Sequence, residues 1–260
     1  MSESEIIQAD ERVGTWSEHA FTELRHDILT GRLHPGSKLR IEQLRVEYGV
    51  GSTPLREALS RLSSEGLVQI EQLKGFRVAA VTFVELQELC DLRALIEADA
   101  LRRSVKYGDG AWEGGVVAAF YQLDRLEKKL GEGEIPDADD WEDRNREFHE
   151  SLVAGANSAW LLRLRRQLFD HFERYRRYAR TRLSLEPTRD VGGEHRRMMD
   201  AALTRRGDDL AEMMTEHILG NVPLLRDGFP VEKKRAQRSK PVAKRDAAGD
   251  ETSPSHRRIG

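Results

Sequence analysis

The stretch HPGSKLRIEQLRVEYGVGSTPLREALSRLSSEGLVQIEQLKGFRV, residues 34–78, holds two hydrophobic periods, and the switch between them decides the fold. Leu55, Ala58, Leu59 and Leu62 recur at i, i+3, i+4 and i+7, the stripe of a helix with one buried face. Ser52-Thr53-Pro54 reads as its start, a hydroxyl N-cap ahead of proline at the first helical position, and Gly66 closes it. Before it, Ile41 to Tyr48 forms a short helix stopped by Gly49. After it the period falls to two. Leu67 to Ile70 predicts a strand, Gln72 to Gly75 a tight turn, and Phe76 to Ala79 the returning strand. Upstream, Phe21, Leu24 and Ile28 stripe a helix that ends near Gly31 and the turn His34-Pro35-Gly36. Three helices followed by a hairpin predict a winged helix-turn-helix over residues 14–81.

Beyond Val81 the strand pattern stops. Thr82-Phe83-Val84-Glu85 is a capping box, opening a helix to about Tyr107. Further helices are expected near 110–131, 138–156, 158–183, 190–205 and 208–220, with breaks at Gly131 to Pro136, Gly155 and Gly207. Residues 82–225 therefore form an all-α bundle, and the whole chain is mainly α. Residues 1–13 are expected to be loose. Residues 226–260 are expected to be a disordered basic tail, being rich in Lys, Arg, Ser and Pro with almost nothing to bury.

Composition narrows the class. A chain of 260 residues suits two domains. With 38% apolar and 33% charged residues, it has no run of about 18 apolar residues to cross a membrane. The acidic N-terminus lacks the apolar core of a secretory signal, and a single cysteine, Cys90, fits a reducing cytoplasm. Charge is uneven along the chain. From Val231 onward nine Lys or Arg face four Asp or Glu, leaving 33 against 41 before it. Contact with nucleic acid must then come from a local patch and not from bulk charge.

Such a patch exists on the third helix. A helix in the major groove needs an apolar inner face and short polar or basic side chains at its outer N-terminal turn. Ser52, Thr53 and Arg56 supply the second, while Leu55, Ala58 and Leu59 supply the first. Arg56 suits a phosphate or a guanine edge. Gln72 and Lys74, in the turn between the strands, suit a wing tip touching the DNA backbone or minor groove. Winged folds also serve as protein-binding scaffolds, so spacing alone leaves both readings open.

Three of the eight histidines lie on apolar stripes of separate helices. His149 shares one with Asn145, Leu152, Val153 and Ala156; His195 shares one with Met198, Met199 and Ala202; His217 ends the stripe of Leu210, Met213 and Met214. Burying an imidazole without a partner costs about 1–3 kcal/mol, so three invite a shared solution. Convergence on Zn²⁺, Ni²⁺ or a similar ion, with Asn145 adding an oxygen, is one solution. Core packing and a cluster that hydrogen-bonds a ligand are the others. Arg93 lies inward with Leu86, Leu89 and Cys90, and either meets a carboxylate or pairs with Glu97 one turn on. The Arg-dense segment from Arg163 to Arg182, with Tyr175 and Tyr178, reads mainly as the solvated face of a long helix; the alternative is that one or two of its residues line the ligand cavity.

The N-terminal motifs resemble the DNA-binding domain of the GntR superfamily of bacterial transcription regulators. Those motifs are Pro35-Gly36, Thr53-Pro54-Leu55-Arg56-Glu57-Ala58-Leu59, Glu65-Gly66-Leu67-Val68 and Gly75-Phe76-Arg77-Val78. The C-terminal ones resemble the FCD domain, the helical effector-binding module of the FadR subfamily. They are Asp91-Leu92-Arg93-Ala94-Leu95-Ile96-Glu97, Asn145-Arg146-Glu147-Phe148-His149, Glu194-His195 and Met214-Thr215-Glu216-His217. The resemblance implies DNA contacts at Thr53, Arg56 and Gln72, and a divalent metal on Asn145, His149, His195 and His217. It implies an organic acid as effector. Asn145 stands where many members carry Asp, and its neutral amide oxygen donates less charge.

These readings predict a ligand-responsive regulator, a repressor acting in the bacterial cytoplasm as a homodimer on a double-stranded DNA operator. A small carboxylate effector and a divalent metal are expected, and no catalytic residue. Two other classes compete: a metal-dependent hydrolase using the three histidines, and a winged scaffold that binds protein.

Overall fold

In the computed structural model, residues 3–229 are described except 133, 135, 136, 181 and 183–188. The first helix, α1, runs from Glu3 to Thr30. The looseness expected over residues 1–13 is thus corrected from Glu3 onward. No proline or glycine interrupts the chain between Glu3 and Val13, so a helix nucleated further along extends through it at little cost.

Strand β1 (Lys38–Leu39) leads to α2 (Ile41–Tyr48) and α3 (Ser52–Ser64), then to β2 (Val68–Glu71) and β3 (Gly75–Val78). The strands form an antiparallel sheet in the order β1-β3-β2, with Leu39 opposite Phe76 and Ile70 also opposite Phe76. Two residues are too few to show alternation, so β1 leaves no signal in the sequence. The hydroxyl cap expected at Ser52 or Thr53 is not used. Gly51 holds the cap position and no side-chain bond closes it. Ser52 and Thr53 are already helical, and Pro54 sits where the backbone N–H has no partner in the helix anyway. Ala20, Leu24 and Ile28 of α1 pack on Leu55, Ala58, Leu59 and Leu62 of α3 and on Leu67 and Val78.

The bundle comprises α4 (Phe83–Tyr107), α5 (Gly110–Gly131), α6 (Ala138–Val153), α7 (Ala159–Arg180), α8 (Val191–Leu203), α9 (Gly207–Leu219) and the short α10 (Asn221–Leu225). The capping box holds: Thr82 Oγ1 accepts from the Glu85 amide at 3.2 Å. α4 packs against α6, α7 and α9. Gly155 lies so near Gly108 and Ser104 that a Cβ there would stand 2.9 Å from each.

Two expectations need correcting here. α7 is not mainly a solvated face, because Arg165, Arg174 and Arg176 are all buried. Their charges are met by partners from other elements: Glu97 for Arg165, the Ala79 carbonyl for Arg174 and Glu142 for Arg176. The tail does not begin at 226 either. A 3₁₀ turn covers Arg226–Gly228, and Phe229 is buried against Phe83, Tyr175 and Tyr178. The rest of the expected tail lies outside the described residues.

Candidate functional site

Three helices bring the inward histidines together. α6 supplies His149, α8 His195 and α9 His217, and one ligand atom from each lies within 4.8 Å of the others. The ring centroids stand 5.2, 5.2 and 5.0 Å apart. Phe148 closes one side, edge-on to His195 at 5.3 Å.

Two carboxylates orient this cluster. His195 Nδ1 is 2.7 Å from Glu127 Oε1, and His217 Nδ1 is 2.7 Å from Glu194 Oε2. A neutral imidazole that donates from Nδ1 keeps its Nε2 lone pair for the centre. Burial pushes His217 down to about 3, overriding the pull of Glu194. Burial also holds His149 well below the ordinary imidazole range, with His217, His195 and Arg93 pushing the same way. Both rings are therefore neutral at pH 7. Glu194 also moves down, but against burial: burial raises it, and His217 and Arg189 outweigh burial and hold it at about 2.

The centre of the cluster is chemically incomplete. His149 Nδ1 and His195 Nε2 are buried without a hydrogen-bond partner among the described residues. Each such atom costs about 1–3 kcal/mol. A divalent cation suits this donor set, since neutral imidazole nitrogens are its usual ligands. Asn145 is buried one turn before His149 on α6 and lines the same cavity.

That cavity measures about 460 Å³. His149, His217 and Asn145 line it together with Arg93, Phe169, Phe172, Trp141, Arg176, Arg189 and Leu224. Arg93 pairs with Glu97, one of the two readings the sequence allowed, and it also lines the cavity. Its Nε donates to Glu97 Oε1 at 3.2 Å, while the guanidinium lies 4.5 Å over both Phe169 and Phe172. Glu97 also accepts from Arg165 Nε at 3.0 Å. One buried carboxylate thus faces two buried guanidiniums, and the trio keeps one net positive charge beside the cavity.

The other set of site residues lies on the outside. Thr53 and Arg56 are exposed on the first turns of α3, and Ser52 is half-buried. Among the described residues Arg56 enters no ion pair. Gln72 and Lys74 are exposed at the hairpin tip, where the Lys74 amide donates to the Glu71 carbonyl at 3.0 Å. The core beneath holds this face rigid, because Leu55, Ala58, Leu59 and Leu62 are fully buried.

Sequence reasoning missed several cavity residues. Glu127 sits in Arg125-Leu126-Glu127-Lys128-Lys129, which reads as surface, and only the fold turns it toward His195. Arg189 gave no periodic signal, while Arg176 falls within the segment that the sequence allows to lend one or two residues to the cavity. Glu194 was missed too, although its adjacency to His195 could have pointed to it.

Comparison with known proteins bears on both sites. Residues 16–78 match the family described as "Bacterial regulatory proteins, gntR family", and residues 88–220 match the FCD domain. The uncharacterized HTH-type transcriptional regulator BphR of Paraburkholderia xenovorans is 37% identical, covering 80% of this chain and 84% of its own. The HTH-type transcriptional repressor GlaR of Escherichia coli is also 37% identical, covering 79% and 94%.

The chain belongs to the GntR family and carries an FCD domain.

Solved structures agree on the fold. Escherichia coli McbR/YncC superposes with a TM-score of 0.68 at 20% identity, covering 82% of this chain and 97% of that one. A GntR protein from Rhodococcus sp. RHA1 gives 0.66 at 17%, covering 82% and 99%. This GntR-family member is a DNA-binding transcription regulator with an effector-binding domain. It is not an enzyme, and a hydrolytic role for the histidines is not favoured.

Proposed function

We propose that this regulator represses transcription as a homodimer on a double-stranded operator in the bacterial cytoplasm. Its FCD domain holds a divalent cation, Zn²⁺ or Ni²⁺, and a small carboxylate that together set operator affinity. The observation that carries this reading is the convergence of three imidazoles within 4.8 Å of one another, two of which, His149 and His217, line a cavity that Arg93 also lines.

His149, His195 and His217 would hold the cation, with Asn145 as an oxygen donor. Glu127 and Glu194 keep two of the rings in the ligating orientation. When bound, the cation supplies a positive centre with open positions for a carboxylate oxygen. Arg93, which lines the same cavity and whose partner Glu97 is shared with Arg165, attracts the same anion. On the DNA side, Ser52, Thr53 and Arg56 enter the major groove while Gln72 and Lys74 touch the backbone.

Dimerisation is supported by an exposed apolar face. Leu92 and Leu95 on α4 and Trp160 and Leu164 on α7 are exposed beside a groove lined by Asp99, Arg103 and Arg163. A repressor is favoured by the relative named as one.

Native mass spectrometry of freshly purified protein tests metal and dimer together. Two chains with bound Zn²⁺ or Ni²⁺ are expected. A monomer, or a dimer free of metal that Zn²⁺ does not stabilise, would overturn those parts. A mobility shift on DNA upstream of the protein's own gene tests the operator, with loss of the shift expected on adding effector.

A further inference from the structure

One turn of α7 faces two ways. Phe169 and Phe172 line the cavity, and Arg93 stacks on both. Between and beside them, Asp170, His171 and Arg174 reach the winged domain. Asp170 is buried and holds two arginines at once: Arg146 Nη1 at 2.6 Å on Oδ1 and Arg25 Nη2 at 2.5 Å on Oδ2.

Those arginines lead in opposite directions. Arg146 follows Asn145 directly on α6, one turn before His149, and also donates to Glu173. It is not among the residues that line the cavity. Arg25 belongs to α1, and its Nε donates to Glu65 Oε2 at 2.9 Å. Glu65 is the C-cap of α3, the helix proposed to read DNA. His171 Nε2 meets the carbonyl of the same residue at 2.8 Å, and Arg174 reaches the Ala79 carbonyl after β3. Burial lowers His171 below its ordinary value, so its ring is neutral and donates here.

The end of α3 is thus closed from both sides. Locally, the Gly66 amide bonds the Ser63 carbonyl at 3.1 Å and the Leu67 amide bonds the Leu62 carbonyl at 3.0 Å, with Gly66 left-handed at φ 74°. From outside α3, Arg25 of α1 and His171 of the bundle grip Glu65.

We infer that the relay Arg146–Asp170–Arg25–Glu65, riding on the 169–174 turn of α7, couples the histidine cavity to the recognition helix. It rests on the proposed function and names the residues through which that site is regulated. A change in the position of α6 as its ligands engage shifts the fork of Arg146. Asp170 is shared, so its grip on Arg25 changes with it. Glu65 and the closure of α3 follow. A bidentate guanidinium has few alternative geometries, which makes the chain of contacts stiff.

The test uses the full chain and amide exchange at Glu65, Gly66 and Leu67. Arg146→Gln breaks the relay at its cavity end. Arg144→Gln is the control, since Arg144 sits on the same helix in exposed pairs with Asp140 and Glu147. The three amides are expected to exchange about tenfold faster in Arg146→Gln than in Arg144→Gln. Zn²⁺ should change their exchange in the wild type and in Arg144→Gln but not in Arg146→Gln. Equal exchange in the two variants would overturn the relay. So would Zn²⁺ that stabilises the wild type and leaves these amides unaltered. If Zn²⁺ fails to stabilise the wild type, the metal reading falls while the comparison of variants still decides the relay. Should Arg146→Gln not fold, Arg25→Lys keeps the charge but loses the fork. It should speed the same exchange by a similar factor, and wild-type exchange there would overturn the coupling.

Discussion

The winged unit and the bundle handle polar groups in opposite ways. In the first, the side chains proposed to meet DNA stand on the outside of an apolar core, with Thr53, Arg56, Gln72 and Lys74 in solvent. In the second, Arg93, Glu97, Arg165, His149 and His195 are buried. A charged polymer is met by exposed groups that keep their hydration until contact. A small ligand is met by groups already stripped of water, which a fold supports only if each is partnered or waiting for a partner. The contrast fits a DNA-binding unit joined to an effector-binding one, as the two matched domains have it.

The same substitution in each unit should give the largest gap. Glu97→Ala leaves Arg93 and Arg165 buried without their carboxylate and should cost about 3–5 kcal/mol. Glu18→Ala removes an exposed partner of Arg61 and should cost less than about 1 kcal/mol. Urea unfolding of both variants checks this, and similar costs would erase the contrast.

Metal comes next. Zn²⁺ at about 100 times its dissociation constant should stabilise stripped protein by about 2.7 kcal/mol. His195→Ala should remove most of that gain, and Glu194→Gln should weaken metal binding roughly 10–100-fold by freeing the His217 ring. Asn145→Asp should tighten it by adding a charged oxygen. Titration calorimetry reads all three.

On the outer face, Arg56→Ala should cost about 1–3 kcal/mol of operator binding with an unchanged melting temperature. Matched-salt affinity equal to wild type would remove Arg56 from the interface.

The metal-free bundle should also be sensitive to acid. His217 titrates near 3 when folded against 6.5 for the free group, so the unfolded state binds more protons in between. Stability should be full above 6.5 and fall as pH drops from there toward 3. His217→Gln should flatten that slope in thermal melts across the range.

Much of this was readable from residues alone, for stated reasons. The stripe of α3 and the three histidine stripes are local patterns, and local patterns survive into the fold. What escaped depended on distant partners. Arg165 and Arg176 look like surface residues until Glu97 and Glu142 meet them from other helices. Lys38–Leu39 becomes a strand only because β3 lies beside it. The tail boundary slipped past Phe229 for the same reason.

Phe229 has a further consequence, for the order of synthesis. It packs on the half-buried Phe83 at 6.1 Å, so aromatics from the two ends of the described bundle are partners. The winged core, whose buried members run from Ala20 to Val78, is complete before the bundle has begun to emerge. On the ribosome, where domains fold in the order they are made, the DNA-reading unit takes shape first. It then waits through the synthesis of α4 to α10 before the cavity that governs it can close.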